Sequence, residues 1–189
     1  PVRRAWLRVV VRDGSGNKIF SSGEHDAAGR IVDASGQVLS SEVAGGPHQA
    51  HRTQVTSSDE VQIYQSLMAD EGGALTFLLL RGEAYLKDSR LLPRGWSPTH
   101  ADAAKTAPSG VGADANFTGG FDTTTYEVLA PAAQGPYTVQ ATLLYQPLSA
   151  RFADELFQYR TPEVDAFKHF YEAAKRTPEV VDDVSASLP

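Results

Sequence analysis

Ala5-Trp6-Leu7-Arg8-Val9-Val10-Val11-Arg12, followed at once by Asp13-Gly14-Ser15-Gly16, is the stretch that decides the fold. Ala5, Leu7, Val9 and Val11 alternate with Trp6, Arg8, Val10 and Arg12, the two-residue period of a half-buried strand. The Asp side chain can close on backbone N–H groups ahead of it. The Gly three positions on supplies the positive φ that a type I turn with a following bulge requires. Lys18 to Ser21 is predicted to return across this turn. The same punctuation recurs at Asp26-Ala27-Ala28-Gly29, Asp33-Ala34-Ser35-Gly36 and Asp70-Glu71-Gly72-Gly73, so the chain reads as a series of short antiparallel strands.

Working outward, short strands are predicted at Arg30–Val32 and Gln37–Ser40, and a longer one at Val61–Ala69. Ala74–Arg81 is its expected partner, with the apolar run Thr76-Phe77-Leu78-Leu79-Leu80 placed in a central strand. Tyr126–Leu129 and Tyr137–Gln146 read as a second hairpin joined across Gln134-Gly135-Pro136. Residues 97–120 are rich in Ala, Gly, Pro, Ser and Thr, and a connection this long is usually a functional loop. After Leu148 the period changes: Phe152, Leu156 and Tyr159 suit a short helix. Thr161-Pro162-Glu163 opens another, expected to run from about Pro162 to Lys175 and to pack Val164, Phe167 and Tyr171 on the sheet. A second Thr-Pro-Glu-Val, at Thr177–Val180, would restart or cap a final segment. The fold class is therefore mainly β, an antiparallel β-sandwich, immunoglobulin-like or jelly-roll-like, with one or two C-terminal α-helices. Residues 1–148 form the sandwich and residues 149–189 a helical segment packed on the same domain.

The chain has 189 residues, 41% of them hydrophobic, which suits one globular domain. A net charge of −6 with scattered Lys and Arg argues against a nucleic-acid surface. No apolar run is long enough to span a membrane. Zero cysteines exclude disulfides, thiolate metal sites, Cys nucleophiles and covalent c-type haem within these residues. Strand-like sequence begins almost at once, without an initiator Met, so the chain reads as a piece of a longer protein or a processed product.

Candidate chemistry is sparse. His48 and His51 form an H-x-x-H that could take a transition metal, or face a haem, if a third ligand came from elsewhere. Asp114, Asn116 and Asp122 lie in a D-x-N-x-T-G-G-x-D spacing similar to the first half of a calcium loop, with Gly119 at the bend. Thr125 stands where the closing acid belongs. With that acid missing, a loop rich in Asx turns is the favoured reading of these residues. There is no G-x-S-x-G, no P-loop and no serine at a strand-to-helix elbow, and the five histidines sit mostly in loop-like sequence, so no catalytic residue is assigned. Trp6, Trp96, Tyr64 and Tyr85 could form a sugar-stacking platform or simply fill the core. Lys87, Asp88, Arg90 and Arg94 could form ion pairs that fix the chain after the core strands.

One set of blocks is more particular than its physics requires. Gln62-Ile63-Tyr64-Gln65-Ser66-Leu67-Met68, then Leu79-Leu80-Arg81, then Tyr85 through Trp96 (YLKDSRLLPRGW) resembles, in the same order, the C-terminal region of a family of bacterial multihaem c-type cytochromes. The similarity continues through Asp114–Thr125, Leu143-Leu144-Tyr145-Gln146 with Arg151-Phe152, and Arg3-Arg4-Ala5-Trp6-Leu7 with Val11-Arg12-Asp13. Gln65, Ser89 and Trp96 depart mildly from the family's Glu, Asn and Phe.

The resemblance implies that C-x-x-C-H motifs carrying haem c lie upstream of Pro1 and that this piece is a haem-free tail, itself without cofactor apart from possible calcium. Its work would be noncatalytic. It would cover haems, set the geometry of electron transfer, or dock a partner, the partners being the haem-bearing domain and a redox protein. A periplasmic or exported location is implied. The alternative is an independent extracytoplasmic binding module, calcium-stabilised, for a carbohydrate or protein ligand.

Overall fold

The structure is a computed structural model that describes residues 2–131 and 134–189. Its first two strands, β1 (Arg4–Arg12) and β2 (Lys18–Ser22), meet across the first Asp–Gly turn. There Asp13 Oδ1 accepts from the N–H groups of Ser15 (2.9 Å) and Asn17 (2.8 Å), the Gly16 N–H returns to Asp13 O, and Gly16 adopts φ +84°. The turns at Asp26, Asp33 and Asp70 repeat this pattern of Oδ1 contacts and positive-φ Gly. They join β3 (Glu24–His25) to β4 (Ile31–Val32), β4 to a bridge at Val38, and β6 (Ile63–Ala69) to β7 (Leu75–Thr76).

β1 lies inside a seven-stranded antiparallel sheet with strands on both edges, and Trp6 and Val10 on one face and Val9 and Val11 on the other are buried, in contrast to the half-buried strand its alternation predicts. β10 (Tyr137–Gln146) runs along its whole length on one edge. On the other edge β6 takes the first half and β2 the second. On one face Trp6, Ile63 and Leu144 meet Ile31 and Leu39 from the short hairpin region, each buried side chain contributing roughly 1.5–3 kcal/mol. On the other, Leu92 and, from the long segment, Phe117 cover Tyr64, with Leu7, Trp96 and Val111 packed around them. The fold is thus mainly β and antiparallel with helices at its C-terminal end. Its second layer is made of two-stranded pieces and loops.

Several expected elements fall elsewhere. Ala74–Arg81 is no central strand: after β7 the chain makes a 3₁₀ turn at Leu79–Arg81, and Leu80 is fully exposed. The place beside β6 goes to β8 (Ala84–Asp88), which returns after the Glu83 N–H bonds Ala69 O at 2.8 Å. Gln37–Ser40 contributes one bridge and then enters a 3₁₀ turn at Ser40–Glu42. Tyr126 does not pair with β10. Instead β9 (Thr125–Tyr126) runs parallel to β5 (Gln54–Val55).

A short α1 (Ala103–Thr106) interrupts the long segment. α2 (Ala150–Leu156) is capped by Ser149 and α3 (Pro162–Ala173) by Thr161, whose side chain accepts from the Val164 N–H. α3 ends before Lys175, and none of its residues is buried; Phe167 and Tyr171 pack on Phe157, which follows α2, rather than on the sheet. The region 149–189 is not helical throughout. The second Thr-Pro-Glu-Val opens β11 (Glu179–Leu188), an exposed strand whose backbone pairs antiparallel with β10.

Candidate functional site

Gln62 and Tyr64 straddle the start of β6 and, by the two-residue period, point to one side of the sheet. The parallel pair β5–β9 sets Gln54 against Thr125. His51 and Asp122 each lie three residues before that pair, so two chain segments far apart in sequence arrive side by side. Thr125 N–H bonds Thr53 O at 2.9 Å, which fixes the approach.

The side chains close a buried clamp. His51 Nε2 lies 2.8 Å from Asp114 Oδ2, with only 2% and 1% of the two side chains exposed. Gln62 Oε1 accepts from the Arg52 N–H at 2.8 Å, and this orients its amide. Gln62 Nε2 then donates to His51 Nδ1 (2.9 Å) and to Asp122 Oδ2 (3.0 Å). The Tyr64 hydroxyl also donates to Asp122 Oδ2, at 2.9 Å. With Nδ1 accepting, His51 is the neutral tautomer that carries its proton on Nε2 and donates it to Asp114. Burial works against ionised Asp114. The hydrogen bonds from His51 and the Asn116 N–H outweigh that and hold its carboxyl below the usual carboxylate range. Burial and the Asp122 carboxylate both push the Tyr64 hydroxyl up, so it stays a donor.

Two sequence candidates, one histidine and one pair of carboxylates, therefore meet: His51, Asp114 and Asp122 each offer a ligand atom within 4.8 Å of the others. The donor set does not suit a resident metal. A ligating histidine donates its second ring N–H to an acceptor. Were His51 to ligate through Nε2, its Nδ1–H would face the donor amide of Gln62. Were it to ligate through Nδ1, the metal would need the position the Gln62 NH₂ fills between His51 and Asp122. The first arrangement sets two donors face to face, and the second expels an amide that is fully buried. Asn116 stays exposed and contributes its backbone N–H to Asp114 Oδ1. His48 lies elsewhere, lining a small cavity of about 20 Å³ with Arg4, Glu42 and Arg151. Burial, then Lys87 and Arg151, depress its protonation. We expect one melting temperature in millimolar calcium, in zinc and in chelator. A rise in either metal that Asp122→Asn abolishes would overturn this, because a ligand that prefers the folded state raises stability with its concentration.

The aromatic platform does not form: Trp6 is wholly buried and donates Nε1 to Gly23 O at 2.9 Å, and Tyr64 belongs to the clamp. Lys87 makes no ion pair among the described residues, whereas Arg90 grips Asp88. The sequence reading missed two buried arginines. Arg4 forms a bidentate pair with Glu42 (2.6 and 2.7 Å) and bonds Gln146, and Arg151 binds three backbone carbonyls of the segment 41–47. An arginine at the start of a helix or of a strand carries no sequence signal of burial. No protein-family model, curated protein or solved structure matches the chain.

Proposed function

We propose that the chain is a noncatalytic structural or partner-docking domain of a multihaem c-type cytochrome, itself haem-free, serving electron transfer in the periplasm or outside the cell. One observation carries the reading. Three of the sequence blocks that resemble the cytochrome family meet at the clamp and the apolar cluster beside it: Gln62 and Tyr64 from Gln62–Met68, Leu92 from Tyr85–Trp96, and Asp114, Phe117 and Asp122 from Asp114–Thr125. Blocks whose side chains meet in one buried, internally bonded cluster serve the shape of the domain. In this cluster the His51 nitrogen that would face a nucleophile faces the Gln62 amide instead.

The test is the reading frame before residue 1, joined to a haem stain of the protein expressed from it in a c-type maturation host. C-x-x-C-H motifs with covalent haem on the upstream part, and none on this part, are the expected result. A frame without haem-attachment motifs would sink the proposal. It would favour the alternative of an independent extracytoplasmic binding module.

A further inference from the structure

The face of the sheet that carries Tyr64 is covered unevenly. Leu92, Phe117 and their neighbours reach only part of it. Beside them lies an open cleft of about 420 Å³, lined among others by Arg3, Ala5, Tyr64, Arg90, Leu143 and Tyr145. That is a size typical of small-molecule sites.

The strand register explains its shape. Ala5 on β1 stands directly between Tyr145 on β10 and Tyr64 on β6. A single methyl between two phenol rings leaves a slot with a flat floor, and Leu143, one pleat along β10, adds an apolar wall. Three neighbouring strands of the main sheet hold these walls, which makes the slot a rigid feature.

The rim is cationic. Arg3 is exposed and makes no ion pair or side-chain hydrogen bond among the described residues. Arg90 gives Nε and one Nη to Asp88, leaving its other Nη uncommitted. Among the described residues no carboxylate lines the cleft, in a chain whose net charge is −6. Flat apolar walls select a ring, and a guanidinium fork at the mouth selects an anionic oxygen pair.

We propose that this cleft binds a small planar aromatic carboxylate, its ring over Ala5 between Tyr64 and Tyr145 and its carboxylate on Arg3. The site shares Tyr64 with the clamp, and it does not depend on the cytochrome reading. Calorimetric titration with 2-naphthoate tests it, against neutral 2-naphthamide and against acetate. Naphthoate binds, and the amide and acetate bind at least about tenfold more weakly, since a charge-assisted contact and the ring burial each supply about that factor. Arg3→Gln, at an exposed position, weakens naphthoate about tenfold. Ala5→Leu fills the slot and abolishes binding. No heat with millimolar naphthoate, equal affinity for naphthamide, or unchanged affinity in Arg3→Gln would each overturn the proposal. Because Arg3→Gln leaves the core untouched, the test stands even where Ala5→Leu impairs folding.

Discussion

Glu42→Gln is expected to destabilise the fold by about 3–5 kcal/mol, the cost of leaving one member of a buried ion pair without its counter-charge. Glu42 and Arg4 are 1% and 3% exposed at their side chains. Arg4 gives Nη1 and Nη2 to the two carboxylate oxygens and Nε to Gln146 Oε1, and Glu42 Oε2 also accepts the Ile31 N–H. Every charged atom of the pair is thus met, and the pair ties β1 and β10 to the hairpin layer across the Trp6 cluster. The geometry is the bidentate fork, further held by the Arg4 guanidinium lying 5.0 Å from the Trp6 ring. Replacing both members, Arg4→Met with Glu42→Leu, is expected to cost less than the sum of the single changes, with a coupling of about 2 kcal/mol. Urea unfolding of wild type, Arg4→Met, Glu42→Leu and the double variant gives the cycle, and Glu42→Gln is measured beside them. A Glu42→Gln loss below about 1 kcal/mol would mean that water reaches the pair and stands in for the carboxylate.

What the sequence made legible follows the range of the interaction. Each Asp–Gly turn is closed within five residues, so Asp13, Asp26, Asp33 and Asp70 announce their own geometry, and Thr161 announces the start of α3. Leu78-Leu79-Leu80 misleads because hydrophobicity says that a run prefers burial but not whether a partner surface exists. Here β8 has the place at β6 and the leucines face out. The site was legible in pieces. His51 and Asp114, 63 residues apart, each read as ligand-like, yet what brings His51 beside the two aspartates is the two-residue pair β5–β9, too short to leave a period. Gln62 was invisible as a site residue, since an amide on a strand carries no signal until its partners are known. The same is true of Glu42 and of Lys87, whose burial is decided by layers drawn from distant parts of the chain.

Lys87 gives the second large effect: the protein is expected to gain stability as pH rises from about 7 toward 10. The side chain is 1% exposed, on β8, and its Nζ donates to Ile63 O (2.7 Å) and Gln49 O (3.2 Å), with no carboxylate in contact among the described residues. Burial, and then the nearby Arg52 cation, lowers its pKa from 10.5 to about 7. Below pH 7 the folded and unfolded chains both hold the proton, and the fold carries the full penalty of a buried ammonium. Between about 7 and 10.5 the folded chain has released the proton while the unfolded chain keeps it. The unfolded state then binds more protons, so unfolding free energy increases with pH, by an amount on the order of a few kcal/mol across the window. Tyr64 and Tyr126 act in the opposite sense above pH 10. Burial raises both hydroxyls above their ordinary 10.0, so the unfolded chain ionises first and stability falls again. The expected profile is a rise to a maximum between pH 9 and 10 followed by a decline. Lys87→Met should remove the rising limb and leave the decline, because Ile63 O keeps its hydrogen bond from Ser89 Oγ at 3.0 Å and the tyrosines are untouched. Urea midpoints at half-unit steps from pH 6 to 10.5 provide the check. Parallel curves for wild type and Lys87→Met would show that the ammonium stays charged against its two carbonyls throughout, and that their dipoles outweigh the desolvation argued here.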